Sequence, residues 1–582
     1  MDRPRRTAMV CTCIAVAMVC TAIRPADAQN APLPPSTDAP CSPAVSAQPD
    51  IERRRPGAPT PPATPSVDCD SDRLPRVKSE ELQEPVAVPD RWRLVEELGY
   101  RVDWLDSYRG YNPMKADRPV FGEDFLNLSA VAGTLIEDRR IPSTAMGVPD
   151  AQGERTATHN QLFFNQSLSL DAVLYRGDTV FRPPDWQWRF TTVLSASGTH
   201  TDGKTASADT DAVQALWFEK HLRDVSSHDD FDSARIGIQA LTSDFRGFLL
   251  SDQPVAARLF GTRDNNIFQY NAALFRSFRK NSVSLNDITA GLPRNDVLLA
   301  NLYWQDFPRA GLTSEFVGAY NRNREPGMQE LLGLGTANAP AARAKHDYDV
   351  GYFGYGIDGH LGWLNATAMT YGLLGNEKQA TFNAGSARVQ SWFAASEWSV
   401  DFDRRRWRLS LLHASGDDNP HDRRATGFDG LTANPVFAGT DSSFFIHQQL
   451  ALAGGVFNLK SRNALLPTLS PTSNSGQSNF SNPGLDLVGF GLDWDVAPQW
   501  RLSFDANQLW LDQTAVLAAL MLRPIPSNLG AELAVNAFWR PFSNQNVILR
   551  MSNAMLMRGA GYRALYDGGV PYSTFVFLTL SY

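Results

Sequence analysis

From Phe125 to Tyr582 the chain repeats one pattern. Apolar and polar residues alternate over stretches of about ten residues, and turn residues separate the stretches. In "SLSLDAVLYRG", Leu168, Leu170, Ala172 and Leu174 share one face, with Ser167, Ser169 and Asp171 on the other. In "DWQWRFTTVLSAS", Trp186, Trp188, Phe190, Leu194 and Ala196 alternate with Gln187, Arg189, Thr191 and Ser195. In "GAELAVNAFWRPF", Ala531, Leu533, Val535, Ala537 and Trp539 oppose Glu532 and Asn536. A period of two puts alternate side chains on opposite faces of a strand. Repeated over so long a chain, it predicts an all-β fold, a transmembrane antiparallel barrel with an apolar outside and a polar inside. A sandwich also alternates, but its strands are usually shorter and this length would need several of them.

About 18 such stretches can be placed, an even number as single-chain bacterial barrels require. They lie near 126–136, 163–175, 186–197, 212–222, 233–242, 246–262, 267–278, 297–305, 312–321, 347–358, 363–372, 388–402, 406–415, 486–496, 500–511, 529–539, 546–556 and 572–582. "SSFFIHQQLAL" also alternates, but counting it as a strand breaks the up-down order. Without it, the short links fall on one side. The long ones, 137–162, 198–211, 322–346, 373–387, 416–485, 512–528 and 557–571, fall on the other. Short periplasmic turns and long outer loops are the expected asymmetry. Trp186, Trp217, Trp304, Trp363, Trp407, Trp500, Trp539 and Tyr582 fall at strand ends on the short-turn side, where an interfacial aromatic girdle is expected. The last strand carries Val576, Leu578, Leu580 and Tyr582 on one face. An aromatic end with apolar residues behind it resembles the signal that outer-membrane barrels present to their insertion machinery.

The start of the chain reads as export. "MDRPRR", an apolar run and Ala26-x-Ala28 predict a signal peptide, residues 1–28, with Gln29 as the mature N-terminus. Residues 29–70 are a proline-rich linker holding Cys41 and Cys69, which are either bonded or incidental thiols. Residues 71–124 are a periplasmic or barrel-mouth lead-in, and 125–582 form the barrel. The chain carries a net charge of −8 and is more acidic without its leader, which argues against nucleic acid as a partner. The expected setting is the outer membrane of a Gram-negative cell, with a periplasmic N-terminus and membrane lipid around the wall.

The polar face places Arg189, Arg235, Glu315, Glu397, Arg408, Asp493, Asp505, Glu532 and Arg550 inside the barrel. Such a lining suits a hydrated passage for hydrophilic solutes or polysaccharide. The alternative is that charges of both signs pair and fill a closed barrel. The sequence calls for no cofactor and no metal.

The most specific local string is "LLHASGDDNPHDRRATGFDG", residues 411–430. Ala414, Ser415, Gly416, Asp417, Asp418, Asn419, Pro420 and Asp422 resemble the alginate-export type of outer-membrane barrel. That resemblance implies passive export of an anionic polysaccharide through an arginine-rich constriction. The lumen residues named above show no such excess of arginine over acid. Asp417, Asp418 and Asp422 lack calcium-loop spacing and read as a solvated outer loop. His413 and Ser415 are similar to the His-x-Ser of an outer-membrane phospholipase, but no third residue to orient the histidine is visible. A TonB-dependent receptor would need a folded plug ahead of the barrel, and residues 29–124 are too few and too rich in proline.

Overall fold

The computed structural model describes residues 97–104, 112–143, 154–177, 183–226, 230–281, 283–325, 347–378, 385–432, 434–453, 457–470 and 477–582. The leader, the linker with Cys41 and Cys69, and most of the lead-in lie outside the described residues. Eighteen strands form the wall. They are β1 Asp124–Pro142, β2 Thr158–Arg176, β3 Trp186–Thr201, β4 Lys204–Asp224, β5 Phe231–Ile238 and β6 Val255–Arg263. Then follow β7 Phe268–Arg276, β8 Asn295–Gln305, β9 Leu312–Asn323, β10 Tyr348–Leu361, β11 Leu364–Glu377 and β12 Ala387–Phe402. The last six are β13 Arg405–Ala414, β14 Leu485–Ala497, β15 Trp500–Trp510, β16 Asn528–Trp539, β17 Val547–Arg558 and β18 Tyr572–Ser581.

Each strand pairs antiparallel with the next. The barrel closes where β1 meets β18, from Val131↔Ser581 to Arg140↔Tyr572. Closure leaves no wall edge open. Tyr582 extends the seam by exchanging two backbone hydrogen bonds with Ala130, at 2.8 and 3.0 Å. Its hydroxyl meets Asn112 Nδ2 at 3.1 Å, and the Lys115 ammonium sits 4.0 Å from its ring. The lead-in segment Lys115–Phe121 pairs with the start of β1 at the same end.

Alternation sets the two faces. On β3 the outward Trp188, Phe190 and Leu194 are exposed, and on β14 so are Val488 and Phe490. On β8, Leu298 is 53% exposed and faces out, whereas its neighbour Leu299 faces in and is fully buried. A buried leucine on the inward face requires something apolar inside the barrel.

Two chain segments supply most of it, and helices Ala515–Met521 and Ala560–Leu565 add Val516, Leu517, Tyr562 and Leu565 to the same core. Residues 239–254, between β5 and β6, carry the short pairing Leu241↔Asp252. The 415–484 segment holds helix Phe444–His447 and a hairpin of Leu450–Leu452 with Phe457–Lys460. Phe248, Leu249, Phe428, Phe437, Phe444, Phe445 and Phe480 from these segments pack on inward Val297, Tyr348, Tyr371, Leu373, Phe393, Leu412 and Leu487. Phe428 stacks on Phe393 at 4.9 Å, and Phe480 meets Tyr348 edge-on at 5.4 Å. Each fully buried ring contributes about 1.5–3 kcal/mol.

Several expectations are corrected here. The 416–485 stretch is not simply an outer loop; much of it folds into the lumen. "SSFFIHQQLAL" forms no wall strand, as expected, but it supplies part of that fill. Residues 198–211 are not a loop, because β3 and β4 run on to a two-residue turn at Asp202 and Gly203, both with positive φ. Asp-Gly suits that turn because both central positions need φ > 0. The 137–162 loop is likewise shortened by strand to Pro142 and from Thr158. The strand expected at 246–262 starts only at Val255. Trp217 leaves the girdle: it is buried and faces inward, with the Arg235 guanidinium 3.9 Å above its ring. Trp500 and Trp539 do stack on the outward face, at 5.4 Å.

Candidate functional site

The lumen is divided. The apolar fill packs against the β6–β17 side, and no residue of β2, β3 or β4 belongs to that core. On the β1–β4 side the inward residues include Val131, Asn165, Ser167, Ser169, Asp171, Arg189, Thr191, Ser195, Ser197 and Thr199, by register. Val131 points inward yet is 38% exposed. Arg189, on the same wall, keeps 43% of its side chain exposed while pairing with Asp171 at 2.8 Å. Open space therefore borders this wall around Val131 and Arg189, while inward Glu137, Phe163, Trp217 and Glu219 of the same strands are buried.

All nine lumen residues named from the sequence point inward, but their surroundings differ. Arg189 borders open space. Arg235 donates from Nε to Glu219 at 2.7 Å and lies beside Arg258, whose Nε reaches Asn271 Oδ1 at 2.5 Å. Glu315 is buried, with Asn301 Nδ2 at 3.3 Å. Glu532 accepts from the Phe445 backbone N–H at 2.7 Å and from Asn507 Nδ2 at 3.2 Å. Glu532 thus anchors the lumen segment and does not line the open space.

Arg408 is the hub of a second group. Its guanidinium meets Asp505 Oδ1 at 2.9 Å and Asp493 Oδ2 at 3.0 Å, with Glu397 Oε2 at 3.9 Å. Glu397 also accepts from Arg246 Nη2 at 3.1 Å and from Ser410 Oγ at 3.0 Å. Gly491 makes room for this crossing, since a Cβ there would lie 2.8 Å from Arg408 Cζ. Arg550 pairs with Asp441 of the lumen segment. Arg246, Glu397, Arg408, Asp441, Asp493 and Asp505 border a recess of about 250 Å³.

The third group was missed from the sequence, which had placed its first residues in a loop. Glu137 of β1 is fully buried and faces inward. Its carboxylate meets Arg139 Nη1 at 3.2 Å, His447 Nε2 at 3.4 Å and Arg462 Nη2 at 3.7 Å. Ser573 Oγ of β18 donates to it at 2.6 Å, and Gln448 Nε2 donates as well. One carboxylate thus ties the lumen segment to both strands of the closing seam. Arg139 and Arg462 both lie over the Phe163 ring, at 4.9 and 5.2 Å. With Gln161, Ser197 and Thr199 they border a recess of about 370 Å³ at the end of the lumen where the long segments lie. Lys460 is buried nearby and donates to the Ile446, Gln448 and Ser461 carbonyls at 2.6–3.0 Å. Burial pushes its ammonium well below the ordinary lysine range.

The 415–422 motif lies beyond the end of β13. Asp417 is buried there, not solvated as expected, and accepts from the Asn419 N–H at 3.3 Å. Asp418 is exposed. The Ser415 hydroxyl donates to Thr426 O at 2.7 Å and accepts from Trp392 N at 3.0 Å. His413 instead pairs with Asp486, so histidine and serine are not assembled as a base and nucleophile. Val576, Leu578, Leu580 and Tyr582 share the outward face of β18 by register.

No protein-family model and no curated protein matches the chain. Solved structures that resemble it include OccK2 (OpdF) of Pseudomonas aeruginosa, at 13% identity and a TM-score of 0.44, covering 78% of this chain and 97% of that one. OccK9 (OpdG) of the same organism gives 12% and 0.45, covering 78% and 98%. A BenF-like porin from Pseudomonas fluorescens Pf-5 gives 11% and 0.45, covering 78% and 98%.

Proposed function

We propose that this protein is an outer-membrane channel that passes hydrophilic solutes along the β1–β4 side of its lumen. The supporting observation is the contrast between the two sides. Inward Val131 and Arg189 remain exposed, whereas inward Leu299, Leu373, Leu412 and Leu487 lie buried under the lumen segments. Barrels of 16–18 strands enclose more space than wall side chains fill. An outward face of Trp, Phe, Leu and Val suits lipid, and an inward face of Ser, Thr, Asn and paired charges suits water. Arg189 with Asp171 borders the path, and Arg139 and Arg462 border a recess at its end, so the lining holds both signs and favours polar over apolar cargo.

The mature N-terminus at Gln29, a periplasmic position for it and delivery to the insertion machinery through Tyr582 belong to the same proposal. Kinship with the alginate-export type rests on Ala414–Asp422 alone and proposes polysaccharide as a second cargo class. Liposomes carrying the purified barrel test both. Swelling in small neutral sugars supports the channel, and no swelling in any hydrophilic solute overturns it. Current block by acidic oligosaccharides would favour the polysaccharide reading, and its absence would remove it.

A further inference from the structure

We propose that His413, Asp486 and Asp512 form a binding site for a divalent first-row transition metal, zinc in class, on the outward rim of the barrel. The three lie on neighbouring strand ends. His413 is the penultimate residue of β13, and Asp486 lies directly opposite it on β14. Asp486 is in turn paired with Trp510, the last residue of β15, and Asp512 follows two positions later. His413 and Asp486 share the outward face of the wall, and the Asp512 carboxylate reaches them from just beyond the end of β15. In the sequence they are scattered, which is why no metal motif is legible there.

His413 Nδ1 and Asp486 Oδ1 are 2.7 Å apart. One donor atom from each of the three residues lies within 4.8 Å of the others, and among the described residues no other trio of such side chains meets that condition. Tetrahedral zinc with bonds of about 2.0–2.2 Å needs donors about 3.3–3.6 Å apart, so small side-chain rotations close the site. Two ligands are already oriented. The Gly416 N–H donates to Asp512 Oδ2 at 2.8 Å, and the Trp392 ring lies 4.2 Å from the His413 ring. One imidazole with two carboxylates is a nitrogen–oxygen donor set, which suits zinc and its neighbours; calcium and magnesium prefer oxygen alone.

Charge argues the same way. Two carboxylates share an outward face with exposed Trp392, Leu411, Val488 and Phe490. A divalent cation neutralises them on that otherwise apolar face. Three protein ligands leave a fourth position open. Side-chain exposures of 29% for His413 and 40% for Asp486 leave that position reachable. None of this depends on the channel reading.

The test uses the full-length barrel in detergent, with any affinity tag removed and metals stripped by chelator. Zinc is titrated calorimetrically, and cobalt is substituted to read nitrogen–oxygen coordination from its visible spectrum. Folding is checked by heat-modifiable migration. The expected result is one saturable equivalent in the wild type. His413→Gln and Asp512→Asn should each weaken binding by at least about tenfold. The Asp512→Asn side chain keeps a carbonyl oxygen that can accept the Gly416 N–H, so that variant retains the loop contact. Asp418→Asn, outside the site, should bind as wild type. Either ligand variant that keeps its fold decides the matter. Absence of saturable zinc binding in the wild type, or wild-type affinity in a folded ligand variant, overturns the site.

Discussion

Replacing Glu137 with glutamine should loosen the lumen segment without opening the wall. The substitution keeps the shape and one carbonyl acceptor but removes the charge that faces Arg139, His447 and Arg462. Two guanidiniums then remain buried without their shared carboxylate. Removing one partner of a buried ion pair typically costs about 3–5 kcal/mol. The wall is held by backbone pairing, ten register pairs at this seam alone. The cost should therefore fall on docking of the 415–484 segment. At about 1.4 kcal/mol per tenfold, the docked-to-released ratio should drop on the order of a hundred- to a few thousandfold. Single-channel recording in planar bilayers reads this directly. Wild type should give steady openings, and Glu137→Gln should add frequent steps to a larger conductance. Traces indistinguishable from wild type would refute the anchoring role. Loss of the heat-modifiable barrel would refute the independence of wall and filling.

Arg189→Glu should shift selectivity toward cations with the fold intact, because Arg189 borders open space beside Asp171; reversal-potential measurements check it. Arg408→Glu should instead fail to fold or lose stability, since it faces Asp493, Asp505 and Glu397 with only 13% of its side chain exposed; thermal unfolding in detergent checks it. Burial, with Asp418 and Asp422 nearby, pushes Asp417 up to about 6. The folded state therefore holds this proton more tightly than the unfolded chain, so the contribution to stability is full below about pH 4 and is lost as pH rises through about 6. The hydrogen-exchange protection of residues 416–432, taken relative to the intrinsic rate at each pH, should be greater at low pH, and Asp417→Asn should remove the difference. Deleting Tyr582 removes two seam hydrogen bonds and the ring beneath Lys115; the yield of heat-modifiable barrel should fall.

The wall was legible in the sequence because alternation is a local signal. Leu168 and Ser167 declare their faces without knowledge of any partner. Strand number and direction followed from where Gly, Pro and charged turns interrupt the pattern. Strand length was less legible. "TDGK" at 201–204 carries a hairpin turn, but the polar run around it reads as loop because both of its faces are largely polar beyond Ser197. The lumen filling was harder still. Phe428, Phe444 and Phe480 show no period, since an irregular segment buries rings wherever it meets the wall. Glu137, Arg462 and His447 are joined only by that folding, across a long span of chain. Trp217 shows the converse error: an aromatic near a strand end is interfacial only if its parity points outward, and the bulge between Thr191 and Thr192 in the β3–β4 register shifts that parity.

The most direct measurement is single-channel conductance of a Ser169→Cys barrel, with Cys41 and Cys69 changed to serine, before and after a bulky charged thiol reagent is added. Ser169 lies opposite Val131 on the side of the lumen left open. A channel along the β1–β4 wall requires the reagent to reach the thiol and reduce the current. The same change at Ser410, which is buried against Glu397, should leave the current alone. A folded barrel that conducts no ions, or one whose current falls only with the label at Ser410, would contradict it.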